Sequence, residues 1–267
     1  MITKLTINNN KNTPFHYLNK LKGFKNGTEY EFKQGVNIIV GKNGCGKTTL
    51  MELIKAYLAV DGEMCGKGLF GSSIHKIVNL HSWTSDKEDT MKDGVDLYAD
   101  YKLNTFCYTP FENRSNQDFL EMGNYAEIAI SMDANTMSKG QKANFAVVTL
   151  FEKMFSKNAV LTFDYEKVYG EHYKYYTDYI NKHRIETDHN VFTILMDEPD
   201  NSVDIDHILE LYGVLTTFRP DTQIIAVLHN PFLIVKLSEN ENINIIEMSK
   251  DYVKSIKSKI KKLKIHG

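Results

Sequence analysis

The sequence has few of the features that mark secreted, membrane-spanning or disulfide-linked proteins. Its 267 residues contain three scattered cysteines, Cys45, Cys65 and Cys107, which do not form a disulfide framework and fit a reducing compartment. No run of 18 or more apolar residues is present, so no transmembrane segment is expected. The N-terminus lacks the apolar core of a signal peptide. These absences predict a cytoplasmic protein.

A strong net charge is also missing. The formal charge of −2 gives the chain no general attraction to nucleic acid. Apolar residues make up 42% of the sequence and charged residues 25%, as in ordinary globular proteins. The chain is long enough to bury a sizeable core. Because the motifs described below extend from residue 41 to residue 229, we expect one α/β domain covering residues 1–267.

The most informative motif is the stretch Gly41–Thr48, which fits the phosphate-binding pattern G-x-x-x-x-G-K-[ST]. An apolar run at 36–40 precedes it, as in a buried parallel strand, and a helical pattern at 49–58 follows it. Backbone N–H groups of such a loop surround phosphate oxygens at a helix N-terminus. Lys47 is predicted to reach the β- and γ-phosphates and Thr48 to hold Mg²⁺. The residues expected to line the nucleotide are Asn43, Gly44, Cys45, Gly46, Lys47, Thr48 and Thr49.

A second motif indicates hydrolysis. The apolar run at 191–196 ends in Asp197 and Glu198, and a strand that carries two carboxylates at its tip suits metal-assisted phosphoryl chemistry. Asp197 is expected to bind Mg²⁺, directly or through water. Glu198 is expected to orient and deprotonate the attacking water.

These motifs and two further segments resemble those of ABC-type ATPases. The stretch 197–204 is similar to their second nucleotide motif and the following D-loop, and 224–229 is a third apolar strand that ends in a histidine, His229. The stretch 137–141 is similar to their signature motif, with Lys139 where a glycine is usual. All four segments occur in the order of the family. The resemblance covers about 1–50 and 135–248.

The resemblance implies a P-loop NTPase fold of the ABC type, with a mixed sheet and a helical insertion. It also implies ATP and Mg²⁺ as cofactors and a head-to-tail homodimer that holds two ATP molecules between subunits. Ser138, Gly140 and Gln141 of one subunit are then expected to face the γ-phosphate bound by Lys47 of the other. Lys47, Glu198 and His229 are the expected catalytic residues, and Asp204 is expected to couple the two sites.

Three features favour a soluble machine over a transporter motor. Ser138 and Asp197 are 59 residues apart, more than in transporter motors, and no glutamine follows the strand at 104–108 where transporters have one. The opening segments at 1–7 and 30–32 resemble the first hairpin of RecF-like and chromosome-maintenance ATPases, here without a coiled coil. The chain is most similar to ATPase subunits of anti-phage defence systems, which implies control of a separate effector protein. Phe15, Phe24 and Tyr30 are candidates to pack on adenine, although core positions are favoured.

Two other interpretations remain open. One is the motor domain of an ABC transporter, docked on a separate membrane subunit. The other is a nucleotide-gated scaffold with little hydrolysis, which the added cation of Lys139 permits.

The segments between the motifs are less regular. Residues 59–95 read as an insertion with loop character, and 96–101 and 104–108 read as two strands joined by a tight turn. A second insertion at about 158–190 contains an aromatic helical stripe, interpreted as core packing or as a docking surface for a protein. Its three histidines lack metal-site spacing and are predicted to face solvent. The stripe consists of Tyr165, Tyr169, Tyr173, Tyr176 and Ile180, and the histidines are His172, His183 and His189.

The last segment, at about 250–264, is predicted to be an amphipathic helix. It contains seven lysines and one acid, Asp251. Its apolar residues recur at spacings of 3, 4 and 3, which is one helical stripe. The basic outer face is interpreted as solvated lysines, as a nucleic-acid contact, or as a surface for a partner or membrane. The stripe consists of Val253, Ile256, Ile260 and Leu263.

Overall fold

The structure, a computed structural model, describes residues 1–8, 18, 20–58, 95–101, 105–108, 179–187, 191–201, 203–217 and 221–265. Within these ranges the strands are β1 Ile2–Ile7, β2 Glu29–Glu31, β3 Gly35–Val40, β4 Val95–Ala99, β5 Thr105–Tyr108, β6 Phe192–Asp197, β7 Thr222–Val227 and β8 Asn244–Glu247. The helices are α1 Lys47–Tyr57, α2 Ile205–Thr216, α3 Pro231–Leu237 and α4 Tyr252–Ile265.

A parallel sheet of five strands, in the order β5-β6-β7-β3-β8, forms the centre of the fold. Every residue of β3 and β7 is buried, which explains why their sequences are largely apolar and do not alternate between apolar and polar residues. β7 pairs with β3 on one side and with β6 on the other. The carboxyl ends of the three strands therefore meet at one edge of the sheet, and the nucleotide motifs follow these ends.

Apolar clusters cover both faces of the parallel sheet. On one face, α1 packs between this sheet and a three-stranded antiparallel sheet of order β2-β1-β4. On the other face, apolar residues of α2, α3 and α4 form a second cluster with β3, β6 and β7. This two-sided burial accounts for the α/β class predicted from the sequence.

The side chain of Gln223 in β7 ties the N-terminal strand to the parallel sheet. The Gln223 Nε2 atom donates to the carbonyl oxygens of Ile2 at 2.7 Å and Lys33 at 2.9 Å. Its Oε1 atom accepts from the backbone N–H of Ile2 at 2.7 Å. Because Gln223 is fully buried, these bonds satisfy polar groups that would otherwise destabilise the core.

The predicted opening hairpin is confirmed, since β1 pairs antiparallel with β2. The prediction that 96–101 and 104–108 form two strands joined by a tight turn is wrong in its pairing. β4 pairs antiparallel with β1, whereas β5 pairs parallel with β6 in the other sheet. Alternation in β4, whose burial repeats every second residue, identifies a half-buried strand but does not specify its partner.

The prediction that His183 faces solvent is also wrong. Its side chain is 2% exposed, and Nε2 lies 2.9 Å from Asp96 Oδ1. The neighbouring Tyr179 donates its hydroxyl to the carbonyl oxygen of Val95 at 2.7 Å and accepts from the N–H of Leu97 at 2.8 Å. The end of the second insertion, 179–187, is therefore docked on β4. The four tyrosines of the predicted stripe lie outside the described residues. So do His172, His189 and residues 59–94.

α4 occupies the position of the predicted C-terminal helix. Val253 and Ile256 are buried against α3, and Ile260 is partly buried. Leu263, the fourth member of the predicted stripe, is 71% exposed, so the packed part of the stripe ends before it. Across the described ranges, no helix is both long and apolar enough to cross a membrane.

Candidate functional site

The loop between β3 and α1 has the backbone that a phosphate cradle requires. Gly44 and Gly46 adopt positive φ angles of 75° and 104°, which residues with a Cβ atom rarely adopt. At Gly46 a Cβ atom would also lie 2.5 Å from Cε2 of the buried Phe24. The side chain of Lys47 is buried, and its Nζ donates to the carbonyl oxygen of Gly41 at 3.0 Å. The loop therefore presents one buried cation at the N-terminus of α1.

Residues after β8 support this loop from outside. The backbone N–H of Lys42 donates to Ser249 Oγ at 3.1 Å, and the N–H of Met248 donates to the carbonyl oxygen of Val40 at 2.9 Å. Cys45 is buried in the core, and its N–H donates to the carbonyl oxygen of Lys42 at 3.1 Å. Asn43, Gly44 and Thr48 are exposed, and Thr49 is half-buried.

Two of the residues considered for adenine stacking are core residues. Phe24 is fully buried. Tyr30 is buried and donates its hydroxyl to the carbonyl oxygen of Gly23 at 2.5 Å, and burial raises the pKa of this phenol. Neither ring is available to a nucleotide base. Phe15 lies outside the described residues.

Asp197 forms the end of β6 and has the properties of a metal ligand. Its Oδ1 atom is buried and has no hydrogen-bond partner among the residues that the structure describes. Burial raises the pKa of Asp197 to about 6, against the opposing effect of Lys55, and the neighbouring charge of Glu198 adds to the rise. A buried carboxylate oxygen left without a donor costs free energy that a divalent cation can offset. Asp197 thus fits Mg²⁺. Thr48, the other predicted metal ligand, is exposed in the first turn of α1.

Glu198 and His229 lie in contact at the adjoining strand ends. His229 Nε2 is 2.9 Å from Glu198 Oε1, and Glu198 Oε2 accepts from Asn201 Nδ2 at 3.0 Å. The backbone of Glu198 has a positive φ of 52°, which is unfavourable for a residue with a side chain and persists only where the surrounding structure holds it. The N–H of Glu198 is held by the carbonyl oxygen of Val227 at 3.1 Å. A carboxylate and an imidazole are therefore fixed side by side, as proton transfer requires.

Two aspartates beyond Glu198 organise the surrounding backbone. Asp204 caps α2 by accepting from the backbone N–H of His207 at 3.0 Å. This bond and a second bond to the His207 side chain lower the pKa of Asp204. Asp200 accepts from the N–H groups of both His229 and Asn230, and burial raises its pKa. The sequence reasoning missed Asp200. The sequence signal for it is an acid, Asp200, in the turn after β6 and a histidine, His229, after the neighbouring β7.

The structure brings Lys47, Asp197, Glu198 and His229 to the same edge of the parallel sheet. The charge of Glu198 raises the pKa of Asp197, and the charge of Lys47 lowers it. Glu198 also contacts His229. Ser138, Gly140 and Gln141 lie outside the described residues. Among the residues that are described, no cluster of three or more histidine, cysteine, aspartate or glutamate side chains could hold a metal ion by itself. The fit to Mg²⁺ therefore concerns a site completed by nucleotide oxygens and water.

The two glycines of the loop give a matched pair of substitutions. Gly44→Ala places its Cβ in open space at a positive φ, whereas Gly46→Ala adds a clash with Phe24. We expect Gly44→Ala to lower the free energy of unfolding by about 1 kcal/mol and Gly46→Ala by about 3 kcal/mol. Urea denaturation of both variants measures the difference. Equal losses of unfolding free energy in the two variants would mean that Phe24 does not restrict the side chain at position 46.

The raised pKa of Asp197 predicts a pH-dependent stability. A carboxyl whose pKa rises from 3.8 to about 6 on folding destabilises the folded state as the pH rises through that range. Without Mg²⁺ and nucleotide, Asp197→Asn should therefore be more stable than the natural protein at pH 8. We expect a difference of roughly 1–2 kcal/mol, because partial exposure reduces the full effect.

Urea denaturation between about pH 3 and pH 8, with chelator present, tests this expectation. The difference should shrink as the pH falls below the folded-state pKa and be smallest near pH 3, where the carboxyl is mostly protonated in both states. Glu241→Gln, at an exposed loop position, serves as the control and should show no such trend. A constant difference across the pH range would contradict a buried charge at Asp197.

Among solved structures, a nucleotide-free ATP-binding cassette from an ABC transporter matches with 12% identity and a TM-score of 0.38, covering 100% of this chain and 99% of the other. A protein described as a metal-chelate type ABC transporter in an inward-facing conformation matches with 12% identity and a TM-score of 0.35, covering 88% and 75%. No curated protein matches the sequence.

A protein family described as AAA domain matches residues 17–265. The match includes the phosphate loop, both carboxylates at the end of β6 and the histidine after β7, in a fold with parallel and antiparallel sheets. The chain belongs to the AAA domain family, and its phosphate loop and parallel sheet are those of a P-loop NTPase.

Proposed function

We propose that the protein binds ATP with Mg²⁺ and hydrolyses it to ADP and phosphate. The observation that carries this proposal is the pair of carboxylates at the end of β6, where Asp197 has a buried oxygen with no donor in the described part of the chain and Glu198 contacts His229. In metal-assisted hydrolysis one carboxylate binds the cation and a second one takes a proton from water. Asp197 and Glu198 fit these two roles. The buried Lys47 lies at the same strand edge and supplies the positive charge.

Each residue has a separate role in this reaction. The amino group of Lys47 moves from the carbonyl oxygen of Gly41 to the β- and γ-phosphates. Thr48 and Asp197 would supply oxygen ligands for Mg²⁺, and the bound ion would offset negative charge on the phosphates. Glu198 accepts a proton from the attacking water. The imidazole of His229 donates a hydrogen bond to the γ-phosphate, which breaks its contact with the carboxylate of Glu198.

We further propose that two copies associate head to tail around the nucleotides. Ser138, Gly140 and Gln141 of one copy would complete the site of the other, with Asp204 between them. Apolar exposure near the site supports this assembly, since Ile205, directly after Asp204, is 68% exposed and Phe232, three residues after His229, is 63% exposed. Both side chains would contribute apolar area to an interface formed at this edge.

The biological setting is proposed from the sequence resemblance alone. In this view the protein is a cytoplasmic switch whose closed dimer controls a separate effector, in defence against phage. A transporter motor or a scaffold with little hydrolysis would use the same nucleotide site. Co-purification with a membrane protein would favour the transporter motor, and slow hydrolysis despite tight ATP binding would favour the scaffold.

Two substitutions test the ATPase proposal. Glu198→Gln removes the proton acceptor but keeps its shape, so ATP binding should persist while the hydrolysis rate falls by roughly 10²–10⁴-fold. Lys47→Ala removes the phosphate cation and should abolish ATP binding. Light scattering of Glu198→Gln should show a monomer that becomes a dimer when Mg-ATP is added.

Different failures contradict different parts of the proposal. Unchanged hydrolysis in Glu198→Gln would remove this residue from the mechanism. A mass that does not respond to Mg-ATP, with binding intact, would contradict the head-to-tail dimer while leaving nucleotide binding in place. Glu241→Gln, a change of the same kind at an exposed position, is the control for both measurements.

We also propose that the basic face of α4 contacts nucleic acid through its phosphates. Along α4, Lys254, Lys257 and Lys261 follow each other at spacings of 3 and 4 residues, on one side of the helix. Most of the apolar side is already used, because Val253 and Ile256 pack against the domain and Ile260 is partly buried. Leu263 alone of the stripe is exposed, which is little apolar area for insertion into a membrane. Lysine contacts of this kind do not read sequence.

A charge-matched comparison tests this contact. In fluorescence anisotropy with a labelled DNA duplex, Lys254→Glu/Lys257→Glu/Lys261→Glu should weaken binding at least about tenfold and reduce the dependence on salt. The control Lys22→Glu/Lys25→Glu/Lys33→Glu changes the same charge at other exposed positions and should change binding by less than about threefold. Equal losses in both variants would contradict a site on α4. Binding to anionic vesicles but not to the duplex would also contradict it.

A further inference from the structure

Asp200 connects two parts of the site that lie far apart in the sequence. It is in the turn that follows β6, whereas His229 and Asn230 follow β7. One oxygen of its carboxylate, Oδ2, accepts hydrogen bonds from the backbone N–H of His229 at 2.7 Å and of Asn230 at 2.5 Å. Asp200 is 7% exposed, so water competes little for these N–H groups and the bonds are strong.

The turn that contains His229 is held from its other side by a helix cap. The side chain of Asn230 accepts from the N–H groups of Phe232 at 3.0 Å and Leu233 at 3.1 Å, and so caps α3. Leu233 and the rest of the buried side of α3 fix that helix in the core. The backbone of His229 is therefore fixed between α3 and the carboxylate of Asp200.

The contact between the two catalytic candidates depends on the same turn. Glu198 and Asp200 are two residues apart, and the N–H of Glu198 is bound to the carbonyl oxygen of Val227 at 3.1 Å. With the His229 backbone bound to Asp200, the imidazole Nε2 lies 2.9 Å from Glu198 Oε1. The side chains of Glu198 and His229 are each 33% exposed, so burial alone does not hold them together.

We propose that Asp200 is a positioning residue that fixes His229 at hydrogen-bonding distance from Glu198. Its effect on catalysis rests on the proposed function, because that function gives Glu198 and His229 their roles. Asp200 does not contact the reacting atoms and acts through the backbone of His229. Its loss should slow the chemical step and leave the affinity for ATP nearly unchanged, since the phosphate loop is a separate segment.

Two substitutions of Asp200 separate positioning from simple loss of charge. Asp200→Asn keeps one oxygen that can accept both N–H bonds, whereas Asp200→Ala keeps none. We expect Asp200→Ala to lower kcat for ATP hydrolysis about ten- to a hundredfold, with KM within about threefold. Asp200→Asn should retain kcat within about threefold. Equal kcat losses in both variants would overturn the positioning role.

A double variant tests the route through His229. If Asp200 acts only by holding His229, Asp200→Ala/His229→Ala should have the kcat of His229→Ala alone, within about twofold. Losses that multiply would show that Asp200 acts by another route and would overturn the inference. Should Asp200→Ala fail to fold, Asp200→Leu, which has the same branching at Cγ, a larger volume and no acceptor, takes its place in each comparison.

A measurement without turnover distinguishes this inference from the proposed function. In nucleotide-free protein with ¹⁵N-labelled histidine, Glu198→Gln should shift the side-chain nitrogen resonances of His229. The same substitution in the Asp200→Ala background should leave them unchanged, because the ring no longer lies against residue 198. This result supports the positioning role even in a protein that does not hydrolyse ATP. Equal shifts in both backgrounds would overturn the role even in an active ATPase.

Discussion

The parallel pairing of β7 with both β3 and β6 determines where every group of the candidate site lies. Asp197 is paired in register with Val227, and Ile39 of β3 is paired with the same residue. Parallel strands end at the same edge of a sheet. This edge therefore carries the phosphate loop after β3, the carboxylates at the end of β6 and the histidine after β7. The apolar residues of these strands thus contribute stability and the geometry of the site at once.

The site itself is built from groups that oppose folding. Lys47, Asp197 and Asp200 are largely buried polar groups, and Glu198 has a strained backbone. Such features destabilise a protein unless the surrounding structure holds them in place. Here the surrounding structure is the fully buried β3 and β7 and the two apolar clusters that cover the sheet. A cation and phosphates that neutralise these charges would therefore stabilise the folded state as well as serve the reaction.

The sequence predicted the parts of the fold whose pattern is local. β3, β6 and β7 were recognisable as buried apolar runs, and their polar tips identified Lys47, Asp197, Glu198 and His229. Relations between distant segments were not predictable in this way. β4 and β5 were wrongly joined in one hairpin because alternation does not specify a partner strand. His183 was placed in solvent because its burial depends on docking against Asp96, and Asp200 was missed because its bonds connect two separate turns.

Whether Lys47, Thr48 and Asp197 form one nucleotide and metal site can be observed in a crystal structure of the Glu198→Gln protein with ATP and Mn²⁺, because anomalous scattering locates the metal. We expect a metal ion bound at Asp197 and Thr48, with phosphate oxygens within hydrogen-bonding distance of Lys47 Nζ. A nucleotide bound elsewhere, or a metal ion away from Asp197, would contradict it.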